Sequence, residues 1–558
     1  DNISLRNHNL KDAISCVEQR VCSDPSLEDL TFLVEKCQKQ EDLNSTLRLY
    51  TYIQQQIGLA SQKWLVNSLL SMIVEISKKE KLFDVLSGHS ESSWNALIRG
   101  FARCGKPRLA VNIYQQMLNK NQKKRKENSG DLCPCPHTFV ALLQACAKLK
   151  DPETGELIHK HVTRIGLLEK DSFVGSSLIQ MYVKCGLTQS AQEVFDDVQH
   201  QKNVVSWTIL ISGYVEHGFA NEALECFEKM LPLAFSPNAI TLVYVLKACG
   251  KIGASNKLRD LHLEIERKGL LQTDIFIGST LIDTYAKHGA FDKAKYIFDK
   301  LSVHDVVTWN ALISGYVQYG HHEEALGCFE LMQCKGTPAP DVVTYICVLK
   351  SCSSLRACHK GQEIHADISK EQSIEKDLFV GNALMDMYFK CGLIMKAQEV
   401  FDQIIVRDVV TWNVLISGYA QLGYNEEAMS FFEVMKQRRD VSPNEVTYVC
   451  VLKACSNLGD AEKGQEIHSQ IIKGGGFQEK DEDTMLGTAL VDMYSKCGAM
   501  GNAREVFEEL AVRDVVTWNA MISGYSLNGL GDDALKCFRE LKDAGVSPNA
   551  VTYICVLK

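Results

Sequence analysis

The amino-acid sequence predicts an all-α, right-handed solenoid of tandem helix-turn-helix hairpins, on three observations. A V-V-T-W-N string or a close variant returns at Trp94, Trp207, Trp309, Trp412 and Trp518, and self-similarity at a regular spacing is the mark of a repeat array. Two further strings recur in fixed order between the tryptophans: T-Y-x-x-V-L-K-A-C, as at Thr447 to Cys455, and G-x-x-L-x-x-M-Y-x-K-C-G, as at Gly381 to Gly392. Within one unit Trp309, Leu312, Ile313 and Tyr316 follow helical spacing, and after Gly320 so do Ala325, Cys328, Phe329 and Met332. Each unit therefore reads as helix, glycine-marked turn, helix.

The elements follow in chain order. Residues 1–28 read as a degenerate N-terminal helical cap, and 29–135 as divergent units. Among these, Lys63–Ser90 makes a short unit of 28 residues, while a polar insert around Asn119–Asp131 stretches Glu91–Cys135 to 45. Residues 136–549 form the regular array, whose three unit types are represented by 306–341, 342–377 and 378–408, of 36, 36 and 31 residues. Residues 550–558 begin a further unit, for about fifteen hairpins in all. A hairpin of this kind cannot bury its apolar stripe alone, so neighbours must stack, leaving an extended inner groove.

Composition narrows the function. With 558 residues and 46% apolar content the chain exceeds one compact core. Its charge of -9, from 60 Lys and Arg against 69 Asp and Glu, excludes a protein that holds nucleic acid by bulk attraction. Any such binding must be local and base-centred. Twenty-one cysteines, an odd number set inside apolar helical patterns, indicate buried free thiols in a reducing compartment. No run approaches the ~18 apolar residues of a membrane span, and Asp1 to Lys11 has neither a signal-peptide core nor an Arg/Ser-rich transit character. The sequence does not start at Met, so removal of a targeting segment is expected.

Catalytic and metal signatures are not met. Cytidine deamination calls for H-x-E together with P-C-x-x-C, an arrangement the sequence lacks. Cys133, Cys135 and His137 are the nearest approach to a zinc site, with unusual spacing and no evident fourth ligand. Gly474-Gly475-Gly476 lacks the G-K-[S/T] of a phosphate loop, and His321-His322-Glu323 is not H-E-x-x-H. Cys185, Cys391 and Cys497 sit in K-C-G, where His288 takes the equivalent place, so they read as packing residues before a helix-ending glycine rather than nucleophiles. No cofactor and no metal are expected.

Over roughly residues 29–558, the three alternating unit lengths with W-N-x-L-I-S-G-Y, V-L-K-A-C and M-Y-x-K-C-G resemble the PLS class of plant pentatricopeptide repeat (PPR) proteins. The resemblance implies single-stranded RNA binding in a mitochondrion or chloroplast, with the fifth and last residues of each unit reading one base edge. The pairs are Ser176/Asn203, Ser279/Asp305, Asn382/Asp408 and Thr488/Asp514 in the short units, and Thr208/Asn238, Asn310/Asp341, Asn413/Asn444 and Asn519/Asn549 in the tryptophan units. The plainer alternative makes the terminal Asp and Asn helix N-caps. The third unit type has apolar Val140, Val243, Ile346 and Val449 at the fifth place, followed by terminal Asp171, Asp274, Asp377 and Asp483, and an apolar side chain cannot read a base edge. By resemblance, residues 136–549 then read 5′-N-A-A-N-G-U-N-U-Y-N-G-Y-3′.

The family resemblance also implies that apolar second residues (Val205, Val307, Val410 and Val516, or Phe276 and Phe379) clamp the bases, the alternative being core packing. Lys184, Lys287, Lys390 and Lys496 recur at one place and are expected either to track phosphates or to be solvated. PLS relatives specify C-to-U editing sites, with a deaminase tail doing the conversion. The sequence ends at Lys558, nine residues into another unit, so a deaminase is expected beyond it or in trans, and the chain itself is expected not to be an enzyme. An RNA-stabilising, processing or translation factor and a protein-binding solenoid are the competing readings.

Overall fold

Most of the regular hairpins begin with a helix whose first turn is capped by a side chain. The computed structural model describes residues 9–18, 27–40, 42–55, 63–76, 91–125, 133–198, 202–233, 235–336, 338–438, 440–473 and 484–558, and these contain helices and connecting turns but no strand. The 306–341 unit shows the pattern. Asp305 caps Val306–Gln318, accepting the Thr308 N–H at 2.8 Å, which satisfies a donor that the first helical turn would otherwise leave orphaned. At the other end Gly320 takes a left-handed φ of 79°, so that the Gly320 N–H reaches the Val317 carbonyl and the His321 N–H reaches Tyr316. This double closure needs a residue without a Cβ penalty, and it turns the chain directly into the second helix, His322–Lys335.

The same build recurs along the chain, as the all-α hairpin reading expects. The chain forms two compact units, residues 1–280 and 281–558. The first contains, among others, Ser172–Lys184 with Thr188–Asp197 and Val204–Glu216 with Ala220–Met230; the second contains Val342–Leu355 with Cys358–Ile368, Leu378–Lys390 with Ile394–Gln403, and Val409–Gln421 with Asn425–Gln437. Within the second unit, first helices pack on first helices in succession, Val342–Leu355 on Leu378–Lys390 and that on Val409–Gln421. The polar insert departs from expectation in part: its start continues the second helix, Pro107–Arg125, because the Lys, Gln and Arg there are good helix formers. The rest of the insert, Gly474 to Gly476 and Asp483 lie outside the described residues.

Two packing devices explain the recurring strings. Four of the string tryptophans meet edge-on the phenylalanine of the preceding second helix, at ring-centroid distances of 4.6 Å for Phe195–Trp207, 4.6 Å for Phe298–Trp309, 5.1 Å for Phe401–Trp412 and 4.7 Å for Phe507–Trp518. Such pairs add about 1 kcal/mol to the burial of the rings. The glycine of I-S-G-Y serves close approach: a Cβ on Gly418 would overlap the Phe389 ring of the preceding first helix.

Candidate RNA interface

The last residue of each polar pair is a helix cap. Asn203, Asn238, Asp305, Asp341, Asp408, Asn444, Asp514 and Asn549 all accept the N–H of the residue three positions on. Capping and base reading are compatible, since the cap uses one side-chain oxygen and these residues remain half-buried or exposed.

The fifth residues sit deeper than a direct groove contact requires. Thr208, Ser279, Asn382, Asn413 and Asn519 are all buried, while Ser176 and Asn310 are half-buried. In the tryptophan units with Asn, the two members of a pair are bonded to each other: Asn310 Nδ2 donates to Asp341 Oδ1 at 2.9 Å, Asn413 Nδ2 to Asn444 Oδ1 at 3.1 Å, and Asn519 Nδ2 to Asn549 Oδ1 at 3.2 Å. In the short units Asn382 Oδ1 is buried without a hydrogen-bond partner, Ser279 Oγ donates to the Phe276 carbonyl, and Thr488 Oγ1 lies 2.7 Å from Thr517 Oγ1.

That last contact exposes a residue the sequence reading passed over. The Thr of V-V-T-W-N, at Thr308, Thr411 and Thr517, and that of T-Y-x-x-V-L-K, at Thr344 and Thr447, are fully buried, and the backbone N–H of each is the one the cap accepts. At three of the five the hydroxyl also meets the preceding unit's fifth residue: besides the Thr488–Thr517 contact, Thr344 Oγ1 donates to Asn310 Oδ1 and Thr447 Oγ1 to Asn413 Oδ1, both at 2.6 Å. The threonine's recurrence in both strings was the available signal.

The second residues are not packed in the core. Val205, Val307, Val410 and Val516 are 49–55% exposed and Phe276 and Phe379 66%, so none is core. Ile240, Val343, Val446 and Val551 in the units that follow are exposed too, giving an apolar row on successive first helices that has no folding role. Val140, Val243, Ile346 and Val449 are half-buried.

Each lysine of the recurring row has a carboxylate neighbour. Lys184 is paired with Glu216 at 2.8 Å, and Lys287, Lys390 and Lys496 with Asp283, Asp386 and Asp492, one helical turn earlier, at 2.7, 2.8 and 2.7 Å. Each cation is offset by a neighbouring carboxylate, so this row brings little net charge. Lys247, Lys350 and Lys453, in V-L-K, are exposed and have no carboxylate partner among the described residues. They lie seven residues after the exposed Ile240, Val343 and Val446, on the same helical face.

Cys135 Sγ lies 3.1 Å from Thr138 Oγ1 and Cys133 Sγ turns to the Pro134 carbonyl. Among the described residues no three His, Cys, Asp or Glu side chains are grouped to hold a metal ion, and no helix is long and apolar enough to cross a membrane.

The PPR repeat family matches residues 202–251, 304–354, 407–457 and 513–558, and the PPR repeat residues 92–121, 176–201, 279–306, 382–409, 446–475 and 488–515. A chloroplastic pentatricopeptide repeat-containing protein of Arabidopsis thaliana is 32% identical over 88% of the chain and 77% of its own length. A second from the same plant is 31% identical over 95% of the chain and 64% of its length, and a mitochondrial one 32% identical over 86% and 45%. The chain thus spans about half to three quarters of these relatives. A crystal structure of PPR10 in complex with an 18-nt RNA element superposes with a TM-score of 0.63 at 17% identity, covering 99% of this chain and 91% of that one, which shows the shared fold. Repeat matches from residue 92 to the end, on hairpins built alike, place the chain in the pentatricopeptide repeat family.

Proposed function

We propose that this chain binds single-stranded RNA sequence-specifically, one base per unit, and reads 5′-N-A-A-N-G-U-N-U-Y-N-G-Y-3′ through the eight polar pairs. The observation that carries the reading is the exposed apolar row of second residues beside those pairs. Valine or phenylalanine half out of the protein on successive first helices stabilises nothing in the fold, whereas it suits the flat faces of unstacked bases. The PPR10 structure, solved with RNA, makes RNA the expected ligand of such an array. A protein-binding solenoid would have no use for polar pairs kept in register.

Phosphate attraction passes, in this reading, from the paired lysines to Lys247, Lys350 and Lys453. Their units have apolar fifth residues, so they hold the strand without reading it. The alternating unit classes support assignment to the PLS class, site selection for C-to-U editing and residence in a chloroplast or mitochondrion, as the names of the relatives have it. The deaminase belongs to another segment or another protein, and the repeats supply recognition alone. Binding of the chain to an RNA carrying the string, against one with the same composition in scrambled order, tests the proposal. A preference of tenfold or more, about 1.4 kcal/mol, is expected, and equal affinities overturn it.

A further inference from the structure

Wherever the fifth residue is Ser, Thr or Asn, the third residue of the next unit is Thr, or Ser206 in one case; wherever the fifth is apolar, as at Ile346, that third residue is apolar too, as at Val380. A helix cap alone does not explain this matching, because Asp377 caps its helix with Val380 at the third place. The matching tracks the side chain at the fifth position instead.

The hydrogen bonds around Asn310 show what the hydroxyl does. Asp341 Oδ1 can only accept, and it already takes the Thr344 N–H at 2.9 Å, so the Asn310 atom 2.9 Å from it is the amide nitrogen. The amide carbonyl then faces Thr344 Oγ1 at 2.6 Å. Asn413 repeats the arrangement with Asn444 and Thr447. Held at both ends, the amide keeps one N–H free at a defined place, with the second carboxylate oxygen of Asp341 beside it. A donor next to an acceptor suits a uracil edge, which offers a carbonyl next to an N–H.

At Asn382 and Asn519 the two-point hold is absent. Both carbonyl oxygens are unpartnered, and the hydroxyls of Thr411 and Thr552 donate only to their caps, Asp408 Oδ1 at 2.9 Å and Asn549 Oδ1 at 3.0 Å, whereas Thr344 and Thr447 lie 2.9 Å from their caps, Asp341 and Asn444, and nearer, at 2.6 Å, to the reader. A threonine hydroxyl has one proton and here two acceptors, so it can fix the reader or the cap, not both.

Resting on the base-reading proposal above, we infer that the third-position threonine is a positioning residue: Thr344 and Thr447 orient the reader of the preceding unit and so sharpen its choice of base, whereas Thr411 serves its cap alone. The test compares Thr344→Val, Thr344→Ser and Thr411→Val by competition binding on RNAs that differ only at the base assigned to Asn310/Asp341 or to Asn382/Asp408. Thr344→Val is expected to reduce the preference for uracil at its own position by about tenfold, the worth of one hydrogen bond to a buried polar group, and to leave other positions alone. Thr344→Ser restores it, and Thr411→Val changes its position by about twofold or less. Thr344→Val and Thr411→Val each lose a 2.9 Å contact to the cap, so a purely structural role predicts equal effects at 344 and 411. Equal effects, or an unchanged preference in Thr344→Val with wild-type helicity, overturn the inference while leaving base reading intact. Thr447→Val, read at the Asn413 position, decides the matter should Thr344→Val fail to fold. A wild-type chain with no preference at the Asn310 position overturns the reading itself and the inference with it.

Discussion

Two tryptophan units and one short unit, each with a first helix of 13 residues and an asparagine at the fifth position, treat that asparagine differently. In Val306–Gln318 and Val409–Gln421 it is bonded on both sides, to the terminal residue of its unit and to the following threonine. In Leu378–Lys390 its carbonyl is buried and unpartnered. The tryptophan unit of Val515–Leu527 leaves the Asn519 carbonyl unpartnered as well, so unit class alone does not decide it. Asn310 and Asp341 are 31 residues apart, with a long second helix, His322–Lys335, between them; Asn382 and Asp408 are 26 apart across the shorter Ile394–Gln403. An identical side chain is thus settled in one setting and left wanting a donor in the other. A buried unmet acceptor costs on the order of 1–3 kcal/mol, and a ligand that meets it recovers that amount.

The largest expected effect on this contrast is a change of base. Asn310→Thr and Asn382→Thr should each move one RNA position from uracil to guanine, since Thr with Asp reads guanine under the code the family resemblance implies. The altered preference should be about five- to a hundredfold, from ~1–3 kcal/mol for polar groups left unpaired by the wrong base. Competition binding with single-base RNA variants checks it. Should only the short-unit variant switch, RNA does not open the bonded pairs of the tryptophan units, and the two classes differ in function as well as in geometry.

Stability gives the next, smaller contrast. Asn413→Ala removes the Thr447 hydroxyl's shorter bond and one bond to Asn444, at an expected cost of about 1–2 kcal/mol. Asn382→Ala deletes an acceptor that has no partner, so its cost should stay within ~0.5 kcal/mol. Urea unfolding midpoints separate the two outcomes, and equal losses would break the distinction drawn here.

A still smaller effect should appear in salt dependence. Replacing Lys287, Lys390 and Lys496 by Ala removes lysines already paired with aspartates, whereas replacing Lys247, Lys350 and Lys453 removes unpaired ones. Only the second set should flatten the dependence of RNA affinity on salt, by roughly 0.7 in logarithmic slope per lost phosphate contact. A larger change from the first set returns the phosphate role to the short units.

Much of this was legible in the sequence, for physical reasons. Helical spacing around Gly320 defines two helices because both buried faces are apolar, and the Trp strings locate the units because four of the rings have a phenylalanine to meet. The pairing of Lys390 with Asp386 was legible as well, an i, i+4 pair in M-D-M-Y-x-K, but attention to the cation alone hid it. The burial of Asn413 was not legible, since a polar residue at the fifth place of an amphipathic helix looks exposed until the next helix is laid against it. Nor was the choice made by the Thr344 hydroxyl, which depends on tenths of an ångström between two acceptors. Arg356 and Lys150, at left-handed φ of 53°, stand where Gly253 and Gly459 end the equivalent helices, so glycine marks most but not all of the turns.

Acid should separate the two classes by the smallest margin. His365, in the second helix Cys358–Ile368, shares a 2.7 Å hydrogen bond with Tyr388 of the short unit, and His159 with Tyr182 and His468 with Tyr494 repeat it at 3.0 Å. No tryptophan-unit first helix has such a bond among the described residues. Burial holds all three imidazoles below the usual histidine pKa of 6.5, and pushes the Tyr388 hydroxyl up to about 12, so both groups are neutral at pH 7. For His365 the charges of Lys396, which lowers the value further, and of Glu375 and Glu399, which raise it, are secondary. Because the folded value lies below the unfolded one, the unfolded chain binds protons first as pH falls. The stability these groups contribute is therefore complete above about 6.5 and is lost as pH drops from there through the folded values. Partial exposure of the rings keeps the effect modest. Hydrogen exchange at pH 7 and pH 5, corrected for the intrinsic pH dependence of amide exchange, should show protection falling more in Leu378–Lys390 than in Val409–Gln421. His365→Asn should lessen that difference. Equal loss in the two helices would mean that neighbouring first helices open together, and that the short units have no separate stability for acid to reach.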